Sequence, residues 1–394
     1  SMQDAYVVDA VRTPLGKRDG SFRDTHPQDL AAEPLRALEA RNGFDGSDAV
    51  EDVIYGCVTP VGEQGSNIGR IAPMVAGWGE TVPGVQLNRM CGSGQQAANF
   101  AAGQIRGGMH DVLVAGGVEH MTRVPMATDT ASPEQSYADP ENVSETYFEH
   151  FDELTSQGEG AERIAEQWGF SRQEVDELAV DSQRRWGEAA EAGKYDDRVV
   201  PVETEVDGEP VTVERDEHPR PETDAETLRG LPLVFREEGE GVVHAGNSSG
   251  IVDGASALLV ASGDACEAHG WEPMVRIVDT HVVGVDPKTM LTGPIPATEE
   301  LLAANDLTVE DVDRFEVNEA FASVVLAWLA ETGADWERTN VWGGAIAHGH
   351  PLGATGSVLL GKLAAQLEDC GGRYGLCTMC IGFGQGIATL VERV

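Results

Sequence analysis

Cys91 lies in Asn88-Arg-Met-Cys-Gly-Ser-Gly94, after the apolar run Val85-Gln-Leu87 and before Ala97, Ala101 and Ile105 at helical spacing. That order puts the thiol at a strand-to-helix turn, on a helix N-terminus. Free N–H groups and the helix dipole there favour thiolate over thiol, and the following glycines let a substrate approach the backbone. The same segment also fits a buried core cysteine beside a tight turn. A base is at hand in Gly343-Gly-Ala-Ile-Ala-His-Gly-His350-Pro-Leu-Gly-Ala-Thr-Gly356, because histidine is the usual activator of a cysteine nucleophile. His348 and His350 could also form a metal pair, but no acidic or cysteine cluster with ligand spacing accompanies them. The glycines at 353 and 356 lack the Gly-Lys-Ser/Thr of a phosphate loop.

A second thiol lies in Cys377-Thr-Met-Cys380-Ile-Gly382-Phe-Gly384-Gln-Gly386. A lone C-x-x-C is open to a redox or half-zinc reading. This one closes an apolar strand instead of opening a helix, and no second pair exists. That favours a single reactive Cys380 at a strand end, followed by glycines with free backbone donors. Asn318, in Val317-Asn-Glu-Ala-Phe321, reads alone as a strand end capping a helix. Ala245-Gly-Asn-Ser-Ser249-Gly-Ile-Val-Asp253 reads alone as an ordinary polar turn.

The elements that must position these residues follow an α/β pattern. Ala5–Val8, Val53–Val58, Val112–Ala115 and Ala257–Val260 are short apolar runs, while Pro27–Arg41 and Thr298–Asn305 have helical spacing. A weak echo runs through the chain in order. Residues 49–58 resemble 308–317, Val8-Asp9 resembles Val278-Asp279, and 111–117 match 375–382 in character, which predicts two related halves. Residues 123–250 differ in texture, being rich in Glu, Asp, Pro and Gly. Ser171 and Glu174 predict a capping box ahead of a helix reaching about Ala192.

The chain has 394 residues, enough for two or three domains and a large core without staples. Asp and Glu number 67 against 27 Lys and Arg, a net charge of −40, and only four residues (17, 194, 288 and 362) are lysines. Such a charge disfavours nucleic acid and anionic membranes as partners. The acid is spread along the chain, as on a solvated surface suited to concentrated salt, so a halophilic source is expected. No apolar run approaches the ~18 residues of a membrane span. The opening residues show no basic and apolar export signal, and six cysteines form no disulfide framework, so a reducing cytoplasm is expected.

Taken together, the motifs resemble the thiolase family nearly end to end. VVDAVRTPLGK, GCVTPVGEQGSNIGR, the Cys91 turn, GGVEHMTRVPM, DEHPR and AGNSSGIVDGA come in the family's order. GVDPKTMLTGPIPAT, VNEAFA, GGAIAHGHPLGATG and TMCIGFGQG complete it. The resemblance implies a thiolase fold: two duplicated α/β halves, residues 1–122 (returning with 251–272) and 273–394. An inserted loop domain, 123–250, would cover the active site and bind coenzyme A. It also implies an acyltransferase that exchanges acyl groups between a cysteine and coenzyme A, making or breaking a carbon–carbon bond.

By motif, Cys91 would be the nucleophile, His350 its activator, and Cys380 the acid/base that moves the α-proton. Asn318 would hold a water in one oxyanion site with His350. The N–H groups of Cys91 and Gly382 would form the other. Ala245, Ser249 and Arg220 would contact coenzyme A, and Met290 and Phe321 would line the acyl pocket. Acyl-CoA substrates, no metal or prosthetic group, and a homodimer or homotetramer are implied. Many biosynthetic members carry His-Met-Gly where this chain has Gln157-Gly158-Glu159, so the methionine's volume is missing and bulkier acyl chains are expected to fit. His348 is given no role. The rival readings, a ketosynthase-like condensing enzyme and a non-catalytic acyl-CoA or lipid carrier of the same fold, would lack one of Cys91, His350 and Cys380.

Overall fold

The computed structural model describes residues 3–394. In the first half, strands β1 (Ala5–Arg12), β2 (Gly16–Lys17), β3 (Asp52–Gly56), β4 (Gly84–Leu87) and β5 (Val112–His120) alternate with helices α1 (Pro27–Asn42), α2 (Gly46–Ala49), α3 (Ile68–Val75) and α4 (Ser93–Arg106). The middle carries α5 (Tyr147–His150), α6 (Gln157–Trp168) and α7 (Arg172–Glu191), then the hairpin β6 (Val202–Val206) and β7 (Glu209–Val213), and α8 (Ala225–Arg229). The chain then returns through β8 (Val252–Ser262) and α9 (Gly263–His269). The second half comprises β9 (Val275–Gly284), α10 (Pro294–Ala304), β10 (Arg314–Val317), α11 (Ala322–Thr332), α12 (Ala345–His348), α13 (Leu352–Cys370), β11 (Tyr374–Ile381) and β12 (Gln385–Arg393).

One sheet runs in the order β10-β11-β12-β9-β1-β8-β5-β3-β4, with β2 beside β8. The pairing pattern repeats about the β9–β1 join. β3 lies parallel to β5, which is antiparallel to β8, which is antiparallel to β1. Likewise β10 lies parallel to β11, which is antiparallel to β12, which is antiparallel to β9. The sequence echoes therefore mark equivalent strands: β1 with β9, β3 with β10, and β5 with β11. Strands β5 and β8 run longer than their apolar runs suggest, because glycines and buried polar residues such as Glu119, His120 and Asp253 continue the ladder.

Helices α4 and α13 pack on each other and on strands of both halves, so the sheet folds around them. α1 and α3 cover the outer face of the first half, and α10 that of the second. Strand periodicity explains why both faces are apolar. Leu113, Ala115, Leu258 and Val260 point to the central core with Ala97, Ala101, Leu359 and Leu363. Val112, Val114, Leu259 and Ala261 point to the outer core with Leu30, Leu35 and Leu38.

The middle segment is held by polar anchors. The Arg12 guanidinium pairs with Asp216 at 2.7 Å with both side chains almost fully buried, and Asp216 also accepts the Leu15 N–H. Breaking one partner of such a buried pair costs about 3–5 kcal/mol. α7 begins with the expected box: Ser171 accepts the Glu174 N–H and Glu174 accepts the Ser171 N–H.

Candidate active site

The two central helices meet at their N-termini with almost no side chain between them. A Cβ on Gly94 would lie 2.9 Å from the Gly353 carbonyl oxygen, and one on Gly356 only 1.9 Å from the Gln95 nitrogen. Backbone contact at these points brings the turn before α4, with Cys91, against the turn before α13, with His350. Glu119, fully buried at the end of β5, joins the same layer. One of its oxygens accepts the N–H groups of Val58 (2.8 Å) and Gly353 (3.0 Å), and the other accepts from Gln64 at 2.9 Å.

Cys91 is 4% exposed and follows Met90, whose φ of 46° is uncommon for a side-chain-bearing residue. The Gln157 side chain and the backbone N–H groups of Cys91 and Gly382 make up its polar surroundings, and each favours the thiolate. The sequence predicted a thiol biased to thiolate by the helix start. In the folded chain, burial outweighs that field and pushes the Cys91 thiol up to about 11; the three donors oppose it, and the Glu119 charge reinforces it. Cys380 closes β11 opposite Gly386 of β12 and is equally buried. Burial raises its pKa, and the neighbouring Cys91 adds to the rise.

The tautomer of His350 follows from its neighbours. The Thr355 hydroxyl donates to the Pro351 carbonyl at 2.9 Å, which leaves its oxygen to accept His350 Nδ1–H. Nε2 then keeps its lone pair, and the Asn318 side-chain N–H approaches it at 3.4 Å. Burial lowers the His350 pKa to about 3, so the ring is neutral. Asn318 is held by its backbone N–H to the Thr378 carbonyl (3.0 Å), and its buried Oδ1 has no protein partner.

His348 serves a different network. Its Nε2 accepts from Lys362 at 2.9 Å and its Nδ1 donates to the Gly349 carbonyl at 2.7 Å. Lys362 also donates to the Gly343 carbonyl and pairs with buried Glu316 at 3.0 Å. Both ring nitrogens of His348 are thus engaged by the protein, so His348 has no lone pair free beside His350.

The remaining expected residues fall into two groups. Met290 is buried with Cys380, Leu291 and Ala320, with Phe321 packed against them. The Ser249 N–H donates to the Ala320 carbonyl, which places the 245–250 turn beside the Asn318 loop. Ala245 opens a short helical turn capped by His244, whose ring meets Asp176 of α7 at 2.7 Å. Arg220 is exposed; its charge reinforces the lowering by burial of the His218 pKa. His218 packs where a Gly250 side chain would be, so the Arg220 segment and the 245–250 turn are neighbours. The volume expected to be missing near Gly158 is filled: a Cβ there would lie 1.9 Å from the Phe235 ring, which meets Phe321 edge-on at 6.5 Å.

Sequence reasoning passed over Thr355, Phe235 and Lys362, and noted Gln157 only as a departure. Lys362 carried a signal, being one of four lysines and set inside an apolar helical run. Phe235 carried none, because its loop has no periodicity.

The chain shares 46% identity with a steroid 3-ketoacyl-CoA thiolase of Mycobacterium tuberculosis, over all of this chain and 95% of that one. It shares 42% with a beta-ketoadipyl-CoA thiolase of Escherichia coli, covering both chains fully. The crystal structure of the Bacillus anthracis acetyl-CoA acetyltransferase superposes with a TM-score of 0.91 at 36% identity over both whole chains. That of human mitochondrial 3-ketoacyl-CoA thiolase gives 0.89 at 34%, over all of this chain and 99% of that one. The thiolase N-terminal domain model matches residues 5–264 and the C-terminal domain model residues 271–393. On its fold and on these matches along its whole length, the chain belongs to the thiolase family, acyltransferases that move acyl groups to and from coenzyme A.

Proposed function

We propose that Cys91 is the acyl-accepting nucleophile, His350 its base and Cys380 the acid/base at the α-carbon. The observation that carries this reading is the close seating of the Cys91 turn on the strand end that holds Cys380: a Cβ on Gly92 would lie 2.6 Å from the Ile381 side chain and one on Gly382 2.7 Å from that of Met90, with both thiols buried. The His350 Nε2 lone pair is suited to take the thiol proton as the sulfur attacks an acyl-CoA carbonyl. The resulting N–H then donates to a thioester oxygen, together with a water held by Asn318. The Cys91 and Gly382 amides serve the oxygen of the acyl-enzyme. Cys380 protonates the departing carbanion in cleavage, or removes the α-proton in condensation.

For the substrate, the reading is a 3-ketoacyl-CoA with an acyl part larger than acetoacetyl, cleaved in the manner of β-oxidation. The relatives named for steroid and beta-ketoadipyl substrates support it. Met290 and Phe321 line the acyl path, Ala245 and Ser249 the pantetheine path, and Arg220 meets a phosphate of the nucleotide end. A second copy covers the β4 edge, where Met74, Val85 and Phe100 are about half exposed and one side of the strand is unpaired. No helix of the described residues is long and apolar enough to cross a membrane. Six free cysteines suit a reducing cytoplasm, and the acidic composition suits concentrated salt.

The test is thiolysis measured across acetoacetyl-CoA and longer 3-ketoacyl-CoA substrates, with Cys91→Ser alongside. The serine variant is expected to lose more than ~10³-fold, because its hydroxyl does not ionise as a thiol does. Mass spectrometry after brief exposure to acetyl-CoA is expected to find one acetyl group on Cys91. An acetyl on Cys380 instead reverses the two roles.

A further inference from the structure

His348 stands two residues before His350 and touches the peptide that carries it. The Gly349 carbonyl and the His350 N–H belong to one peptide unit, and each end of that unit has a partner. The His350 N–H donates to the Gly250 carbonyl at 2.9 Å. The Gly349 carbonyl accepts from His348 Nδ1 at 2.7 Å. Gly349 itself has a φ of 99°, which favours glycine, and a Cβ there would lie 2.4 Å from the Val252 side chain. With no side chain at Gly349, these two hydrogen bonds set how the peptide is turned.

The His348 contact depends on where its one hydrogen sits. A neutral imidazole carries one N–H and one lone pair. A carbonyl only accepts, so the bond to Gly349 needs the hydrogen on Nδ1 and the lone pair on Nε2. Lys362 enforces that choice from 2.9 Å, because an ammonium has N–H groups to give and nothing with which to accept. Burial and the Lys362 charge both lower the His348 pKa, which keeps the ring neutral. Lys362 is held in turn by the Gly343 carbonyl at 2.7 Å and by the Glu316 carboxylate at 3.0 Å. Glu316 lies on β10, two residues before Asn318, and its other oxygen accepts from Gln366 of α13 at 3.1 Å. A line of buried contacts therefore runs from the strand of Asn318 through Lys362 and His348 to the peptide of His350. Its two ends meet where the Asn318 side chain approaches His350 Nε2 at 3.4 Å.

We propose that His348 and Lys362 are positioning residues: the lysine fixes the tautomer in which His348 holds the Gly349–His350 peptide, and so sets the His350 ring against Asn318. The proposal rests on His350 taking part in the reaction. Both residues act through the backbone of His350, and a displacement of about 1 Å at a reacting group costs up to ~10²-fold in rate.

The test measures thiolysis of acetoacetyl-CoA by the full-length protein and four variants. His348→Leu fills the space without a hydrogen bond, and His348→Asn places an N–H where Nδ1 was. Lys362→Met removes the ammonium, and His350→Ala removes the ring that is positioned. In His348→Leu and Lys362→Met, kcat is expected to fall about tenfold or more, with KM for coenzyme A changed less than about twofold. His348→Asn is expected to recover most of that loss. Nitrogen-15 NMR of histidine-labelled protein, with the His348 signals assigned by their loss in His348→Leu, is expected to find the hydrogen on Nδ1. In Lys362→Met the two tautomers are expected to mix. A parent His348 protonated at Nε2 overturns the proposal. So does an unchanged kcat in His348→Leu, or an equal loss in His348→Asn and His348→Leu, which would reduce the ring to packing. Lys362→Met leaves Glu316 without its cation; if it fails to fold, the two His348 variants decide. His350→Ala is expected to lose more than ~10²-fold. If it keeps the parent rate, the reading of His350 as the base falls. If it loses activity and His348→Leu does not, the positioning role falls alone.

Discussion

With Nδ1 given to Thr355 and the ring buried, the resting His350 is neutral, as its proposed role of base requires, and Cys91 rests as a thiol. The resting site therefore differs from a preformed thiolate–imidazolium pair, and pH separates the two. His350 holds its neutral form at any pH well above about 3, and the thiol ionises only towards about 11. Alkylation of Cys91 is thus expected to rise about tenfold per pH unit between roughly 7 and 9.5, without an inflection where an ordinary histidine titrates. A plateau reached near pH 6.5 would instead mark an ion pair. Cys380 lends itself to a different dissection. Its pKa is raised by burial and by Cys91, so it is a poor nucleophile at neutral pH and a suitable proton donor. Cys380→Ala is expected to retain part of the acylation of Cys91 by acetyl-CoA and to lose carbon–carbon bond exchange by more than ~10²-fold. Isotope exchange into coenzyme A, set against thiolysis, reads the two steps separately. Equal losses in both would make Cys380 structural.

At the scale of elements, the contact between α4 and α13 does the positioning. Gly356→Ala would push a methyl group to 1.9 Å from the Gln95 nitrogen, so the helices must part. A melting loss of about 1–3 kcal/mol or more is expected, with a fall in thiolysis that persists well below the melting temperature. A variant that melts early but works normally in the cold would show that the spacing serves stability alone. Much of this arrangement was legible in the sequence. β4, the turn at Cys91 and the start of α4 were given by an apolar run, a glycine cluster and alanines at helical spacing. β10 with Asn318, and β11 with Cys380, were given by the echo of β3 and β5. The proposed trio of Cys91, His350 and Cys380 was legible only as a family resemblance, since spacing alone left core-cysteine, redox and metal readings open. What escaped were contacts across long sequence distances. The ionisation of Cys91 depends on how completely water is excluded, which no local pattern encodes. Phe235 reaches Gly158 from a loop that carries no period, and Thr355 takes its meaning from the hydrogen that it has already spent on Pro351.

Over the whole molecule, a net charge of −40 sets carboxylates against one another wherever arginines do not intervene. The Debye length is ~10 Å at 0.1 M salt and ~3 Å at 1 M, so the repulsion fades across that range. It bears hardest on assembly, which brings like-charged copies together. Melting temperature, sedimentation and thiolysis measured from about 0.1 to 3 M KCl are all expected to rise towards molar salt. A flat or falling profile would mean that the acid is paired locally and serves solubility alone. The sheet order has a consequence of another kind, for the time course of folding. β8 lies between β1 and β5, yet it follows them by more than a hundred residues, with the whole middle segment in between. Until residues 252–262 leave the ribosome, β1 and β5 each present an unpaired, apolar edge, and a polypeptide made from its N-terminus meets that interval every time. The acidic segment that delays β8 is thus also what the nascent chain has to keep those edges apart from their neighbours on a polysome.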